Sequence, residues 1–108
     1  MFNFLSRLHI ISDDKNALEE YIKNNAKLID VRIAEELSSG KVAEALHIPM
    51  QEVPGHLDKF DKKENIIVFC RTGNRSEHVK EFLLNHGFEN VLNGGSWQQV
   101  EKLIQKNK

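Results

Sequence analysis

No second cysteine accompanies Cys70 in this chain of 108 residues. An intramolecular disulfide, a four-cysteine zinc site and an internal resolving thiol are all excluded, so whatever Cys70 acquires must leave to another molecule. A single thiol fits a reducing compartment, and the expected location is cytoplasmic. Charge of one sign is also scarce: the formal net charge is -1 at pH 7, which gives no field to draw nucleic acid by bulk electrostatics. No apolar run approaches the ~20 residues needed to span a bilayer, so no transmembrane segment is expected. Residues 1–8 are mildly apolar but lack a basic n-region, a continuous h-region and a small-residue cleavage site, and so do not read as a signal peptide. They read as an N-terminal extension, with 9–108 as one domain. There is no repeat, linker or low-complexity segment. The five histidines, His9, His47, His56, His78 and His86, stand at no zinc-ligand spacing, and no metal is expected.

What is present alternates between two periods. Residues 9–11 form a short strand candidate, and Ser12, Asp13 or Asp14 can cap a helix that buries Leu18, Tyr21 and Ile22 and closes at Asn24 and Asn25. An apolar run at 28–31 reads as a strand buried on both faces. A short helix over 34–38 stops at Gly40. A weaker strand over 45–49 is demoted by Pro49. Pro54 suits the first turn of a short helix carrying Leu57 and Phe60, and 61–65 reads as an exposed turn. The most apolar strand is 66–69. A helix follows from Arg75, with Val79, Phe82 and Leu83 on one face and Gly87 just past its end. Residues 91–92 make a brief strand, Gly94 and Gly95 a tight turn, and Trp97, Val100, Leu103 and Ile104 the apolar face of a last helix whose Glu101, Lys102 and Lys106 face solvent. This alternation predicts an α/β domain with a mainly parallel sheet and helices on both faces, in which ligands bind at the carboxyl ends of strands.

Cys70 stands at such an end. The run Ile66-Ile67-Val68-Phe69 gives way there to Arg71-Thr72-Gly73-Asn74-Arg75-Ser76 and then to the helical pattern. A strand ending in a turn of small and polar residues leaves backbone N–H groups free to converge, and the following helix adds its positive end. That geometry holds an anion and lowers a thiol pKa from about 8.5, so Cys70 reads as a nucleophile set in a polar loop, with Arg71 and Arg75 reinforcing the effect. A buried, inert cysteine is the competing reading, and the two arginines, two hydroxyls, glycine and asparagine that follow weigh against it. His78 reads as a solvent-facing helical residue and Trp97 as core.

Four blocks together resemble the rhodanese-like single-domain sulfurtransferases: Leu28-Ile29-Asp30-Val31-Arg32 with Glu35-Glu36-Leu37 and Gly40; Ala45 with Ile48-Pro49; Cys70 to Ser76; and Gly87-Phe88 through Val91 and Leu92 to Gly94-Gly95 and Trp97. The resemblance implies a rhodanese-like α/β fold and a reaction without cofactor. In it the Cys70 thiolate takes the outer sulfur of thiosulfate or another sulfane donor, then passes it from a persulfide to cyanide or a thiol, a protein such as thioredoxin among the candidate acceptors. It implies that Arg71, Thr72, Gly73, Asn74, Arg75 and Ser76 bind substrate, and that Asp30, Arg32 and Glu36 are structural supports, with Arg32 expected to pair with Glu36. This chain departs from the family at Lys41-Val42-Ala43-Glu44-Ala45, where the family has His-Ile-Pro-Gly-Ala. A side chain at Glu44 is strained if the backbone there needs positive φ. The loop also differs from the mercaptopyruvate-type pattern, so that substrate is not expected. Phosphatases and arsenate reductases of the same fold need Cys-x5-Arg, whereas here the residue six beyond Cys70 is Ser76. The remaining alternative is a non-catalytic, protein-binding rhodanese-like module.

Overall fold

The computed structural model describes residues 10–108. The extension at 1–8 and His9 of the first strand candidate lie outside the described residues. Among the described residues, three α-helices, α1 (Lys15–Lys23), α2 (Asn74–Asn85) and α3 (Trp97–Lys106), and two 3-10 helices, Ala34–Ser39 and Met50–Lys59, surround a sheet of β1 (Lys27–Asp30), β2 (Leu46–His47), β3 (Asn65–Cys70) and β4 (Asn90–Ser96). The order is β2-β1-β3-β4 and every pairing is parallel, as the α/β reading expected. Successive strands add to one edge up to β2 and to the other from β3, so the direction of winding reverses between β1 and β3. Ligand crevices of open parallel sheets form outside the carboxyl ends of strands at such a reversal. Asp30 ends β1 and Cys70 ends β3.

The side-chain alternation of β3 divides the core in two. Ile66, Val68 and Cys70 point to one face, where Val79 and Leu83 of α2 and Val53 of the second 3-10 helix cover them. Ile67 and Phe69 point to the other, beneath Leu18 of α1 and Val100, Leu103 and Ile104 of α3. Burying large apolar side chains on both faces contributes on the order of 1.5–3 kcal/mol each, and it makes β3 the fixed member against which the site is built.

Several boundaries differ from the sequence expectation. Ile10 and Ile11 form no strand. They run as an extended segment tied by Ile11 N–H to the Thr72 carbonyl at 3.0 Å. Pro54 lies inside its 3-10 helix rather than in the first turn, and the helix kinks at His56. Gly94 and Gly95 do not make a tight turn: they belong to β4, whose register jumps from Val68–Asn93 to Phe69–Gly95 and leaves Gly94 as the extra residue of a bulge. A Cβ on Gly94 would sit 2.6 Å from Val100 Cγ2 and 2.9 Å from Ile67 Cγ2, so the glycine marks close packing of α3 on the sheet. Glu44 carries no strain, since Asn25 is the only non-glycine residue with positive φ among the described residues. Glu44 lies in an ordinary exposed turn and faces Lys108 at 3.4 Å.

Candidate active site

Cys70 is the last residue of β3 and is fully buried. This corrects the expectation of a cysteine in a polar loop outside the core: Sγ packs on the apolar face with Val68 and Val79 while its other side meets the loop. The chain leaves the strand through exposed Arg71 and Thr72 and turns at Gly73, whose φ of 95° and ψ of -8° start α2. A side chain at Gly73 would be strained by that φ and would collide with the Ile11 carbonyl. The turn aims the Gly73 N–H at Cys70 Sγ, 3.1 Å away, and Ser76 Oγ lies 3.4 Å from the same sulfur. Burial pushes the Cys70 thiol up, but hydrogen bonding with the Ser76 side chain and with the backbone N–H groups of Ser76, Thr72 and Gly73 outweighs it and leaves the thiol below its ordinary value.

The three arginines near the sulfur hold different positions. Arg32 is buried and its partner is Asp30, not the Glu36 carboxylate that the sequence suggested: Nη2 lies 2.7 Å from Asp30 Oδ2 and Nε 3.0 Å from Oδ1. Arg32 still braces the first 3-10 helix, by donating to the Glu36 carbonyl at 3.1 Å and the Gly40 carbonyl at 2.9 Å. The reason is reach. Asp30 is two residues away on the same strand end and equally buried, so it neutralises the guanidinium where no water can. The Glu36 carboxylate instead takes Arg75 in a bidentate pair at 2.7 and 2.9 Å. The bonds to Arg75 hold the Glu36 carboxyl below the usual carboxylate range, and those to Glu36 raise the Arg75 guanidinium further. Arg71 is exposed and has no hydrogen-bond or ion-pair partner among the described residues.

Beside the loop a cavity of about 310 Å³ is lined by Arg32, Glu36, Ser39, Arg71, Trp97 and Gln98. Trp97, read from sequence as core, is half-buried and lies under the Arg32 guanidinium with 5.1 Å from Cζ to its ring centre. Thr72 and Asn74 are exposed and bonded to each other, Asn74 Nδ2 donating to Thr72 Oγ1 at 3.2 Å. Of the loop residues, the Gly73 N–H and Ser76 Oγ reach the sulfur, whereas Arg75 turns to Glu36, Thr72 and Asn74 bond each other, and Arg71 shares the cavity with Arg32 and Glu36. Sequence reasoning missed Asn93 and Asp13. Asn93 is buried in β4 and Ser76 Oγ donates to it at 2.7 Å; Asp13 accepts from the Asn93 N–H at 2.6 Å and pairs with Lys80 at 2.8 Å. The signal was there for Asn93, a polar residue at the end of Val91-Leu92 just before two glycines.

Comparison with known proteins shows the family and the fold. The sequence model of the rhodanese-like domain family matches residues 14–102. The chain belongs to the rhodanese-like family. It is similar to YtwF of Bacillus subtilis, 37% identical over 91 residues that make up 80% of this chain and 88% of that one. It is similar also to the thiosulfate sulfurtransferase PspE of Escherichia coli, 32% identical over 74 residues, 67% of this chain and 71% of that one. Among solved structures, a rhodanese with anions from E. coli superposes with a TM-score of 0.64 at 32% identity, over 68% of this chain and 89% of that one. The fold is thus rhodanese-like, and at the level of the family the chain is a sulfurtransferase. Among the described residues of this rhodanese-like chain no group of three His, Cys, Asp or Glu side chains could hold a metal ion, and no helix is long and apolar enough to cross a membrane.

Proposed function

We propose that this rhodanese-like chain transfers a sulfane sulfur through a persulfide on Cys70. The observation that carries the reading is the sulfur itself: a buried Sγ at the carboxyl end of β3 that accepts a backbone N–H at 3.1 Å from the turn that opens α2. The thiolate attacks the outer sulfur of thiosulfate. A Cys70–sulfur bond forms, the bond between the two donor sulfurs breaks, and sulfite leaves with the electron pair. The outer sulfur then carries the negative charge, and the N–H groups that lowered the thiol pKa stabilise it. An acceptor nucleophile attacks that outer sulfur, leaving as thiocyanate if it is cyanide or as a new persulfide if it is a thiol, and Cys70 returns to the thiolate. A low-molecular-weight persulfide can replace thiosulfate as donor, and a protein thiol such as that of thioredoxin can serve as acceptor. The cytoplasm, where such thiols stay reduced, is the compartment proposed.

The loop arginines divide the work. Arg71, exposed and free of a carboxylate among the described residues, is the group that meets the anionic end of thiosulfate. Arg75, committed to Glu36, holds the loop against the first 3-10 helix. Thr72, Gly73, Asn74 and Ser76 line the approach to the sulfur, and Asp30, Arg32 and Glu36 support it.

Mass spectrometry after exposure to thiosulfate tests the reading. The expected result is a gain of one sulfur atom, reversed by cyanide with release of thiocyanate, and no gain in Cys70→Ser. A wild-type protein that gains no sulfur from thiosulfate or from a small persulfide would refute it and favour the protein-binding module.

A further inference from the structure

Asn93 is fully buried in β4, and each of its side-chain positions is used. Nδ2 donates to the Gly73 carbonyl at 2.9 Å and to Glu77 Oε1 at 3.0 Å; Oδ1 accepts from the Gly95 N–H at 3.0 Å and from Ser76 Oγ at 2.7 Å. These partners allow one orientation of the amide. Turned over, it would set its NH2 against the Gly95 N–H and its oxygen against a carbonyl and a carboxylate. Because Oδ1 carries no proton, the 2.7 Å contact takes the single hydroxyl hydrogen of Ser76. Ser76 Oγ, 3.4 Å from Cys70 Sγ, then shows the sulfur a lone pair. A thiol can donate to that lone pair. A thiolate is repelled by it until the Ser76 hydrogen swings from Asn93 to sulfur.

We propose that Asn93 is a positioning residue that sets, through the Ser76 hydroxyl, how readily Cys70 gives up its proton: it holds the Ser76 hydrogen in the thiol form and yields it to sulfur in the thiolate form. The Gly95 N–H stays on Oδ1 throughout and keeps the amide in place. When the persulfide forms, the negative charge moves to the outer sulfur, Sγ becomes neutral and the Ser76 hydrogen returns to Asn93. The hydroxyl therefore reports where the charge lies. The inference rests on Cys70 being the nucleophile of the proposed reaction. The charged groups around the cradle are Arg75 with Glu36, Arg32 with Asp30, Lys80 with Asp13, Glu77 on Asn93, and Arg71 at the rim. The substitutions below keep every one of these charged groups; Asn93→Leu does take from Glu77 Oε1 the amide it accepts from, a loss common to the wild-type and Ser76→Ala backgrounds that cancels when the two are compared.

The test is a titration of the one thiol by thiolate ultraviolet absorbance, with Cys70→Ser as blank, in wild type, Asn93→Leu, Ser76→Ala and the double variant. Asn93→Leu frees the Ser76 hydrogen for sulfur and is expected to raise the thiolate-to-thiol ratio at a given pH by about three- to tenfold, the worth of one ordinary hydrogen bond. In the Ser76→Ala background the same substitution is expected to change the ratio by less than about twofold, and Ser76→Thr, which keeps a hydroxyl, is expected to restore the full effect. An equal change in both backgrounds would show that Asn93 only shapes the loop, and no change in either would overturn the coupling as well. Should Asn93→Leu fail to fold, the side-chain carbonyl carbon of Asn93 can be followed by NMR in the other proteins. Its resonance is expected to move with the Cys70 titration in wild type and to stay fixed in Ser76→Ala, and equal movement in both overturns the proposal. No sulfur donor enters these titrations. A protein that shows the coupling yet gains no sulfur would refute the proposed reaction alone, and one that gains sulfur without the coupling would refute this inference alone.

Discussion

Asp30→Asn and Glu36→Gln distinguish the two carboxylates that the sequence places within reach of Arg32. The Asp30–Arg32 pair has side-chain exposures of 3% and 1%, against 23% and 31% for Glu36–Arg75. Asp30→Asn keeps size and shape but removes the charge and sets an NH2 or a neutral oxygen against a buried guanidinium. Stranding one charge of a buried pair costs about 3–5 kcal/mol. Glu36→Gln keeps an oxygen for the Ile33 N–H, which Glu36 Oε1 accepts at 3.1 Å, and removes a partly solvated pair worth about 0.2–1 kcal/mol. Urea unfolding followed by circular dichroism, with a slope of roughly 1–3 kcal/mol per molar, should therefore lower the midpoint by about 2 M for Asp30→Asn and by less than about 0.5 M for Glu36→Gln. Equal losses, or a larger loss for Glu36→Gln, would mean that Arg32 depends on Glu36 and that the assignment of Asp30 as its counter-ion is wrong.

Arg71→Ala should slow persulfide formation from thiosulfate more than from an uncharged persulfide donor, while Arg75→Ala should slow both alike; donor-selective loss at Arg75 would give it the anion-holding role. Gly73→Ala should lower stability by more than about 1–2 kcal/mol in the same urea assay, because the positive φ and the Ile11 carbonyl act together, and should slow alkylation of Cys70; a neutral effect would refute the turn geometry. Because the folded Cys70 pKa lies below its unfolded value, the rate of persulfide formation should climb with pH through the folded value and level off by about pH 8.5, the ordinary thiol pKa. By the same linkage the stability that the thiolate contributes is complete above the unfolded pKa and is lost as pH falls through the folded one. Unfolding midpoints of wild type and Cys70→Ser measured across that window should converge on the acid side, and parallel curves would contradict the lowered pKa.

The α/β class was legible because β3 and the three helices carry strong local patterns: an unbroken apolar run, and apolar faces at Leu18, at Val79 with Leu83, and at Val100 with Leu103 and Ile104. The boundaries that failed depend on non-local partners. Residues 10 and 11 look like a strand by composition, yet what they meet is the Thr72 carbonyl at the rim of the loop, not a sheet edge. Gly94 and Gly95 look like a turn in isolation, and only the register against β3 turns them into a bulge.

Sequence alone determined that one thiol does whatever thiol chemistry this chain has, that it ends the most apolar strand, and that small and polar residues carry the chain from it into a helix. Those are properties of residue types and short spacings. The tertiary structure decided which charge meets which. Arg32 took Asp30 and Arg75 took Glu36 because burial selects the nearest partner that can neutralise a guanidinium out of water, and sequence distance does not encode burial. It also decided that Cys70 is at once a core residue and a hydrogen-bond acceptor, since one face of a strand end can pack while the turn beyond it points N–H groups back at the sulfur. Asn93, seventeen residues beyond Ser76, joined the site only when parallel pairing of β4 with β3 set its amide beside the loop.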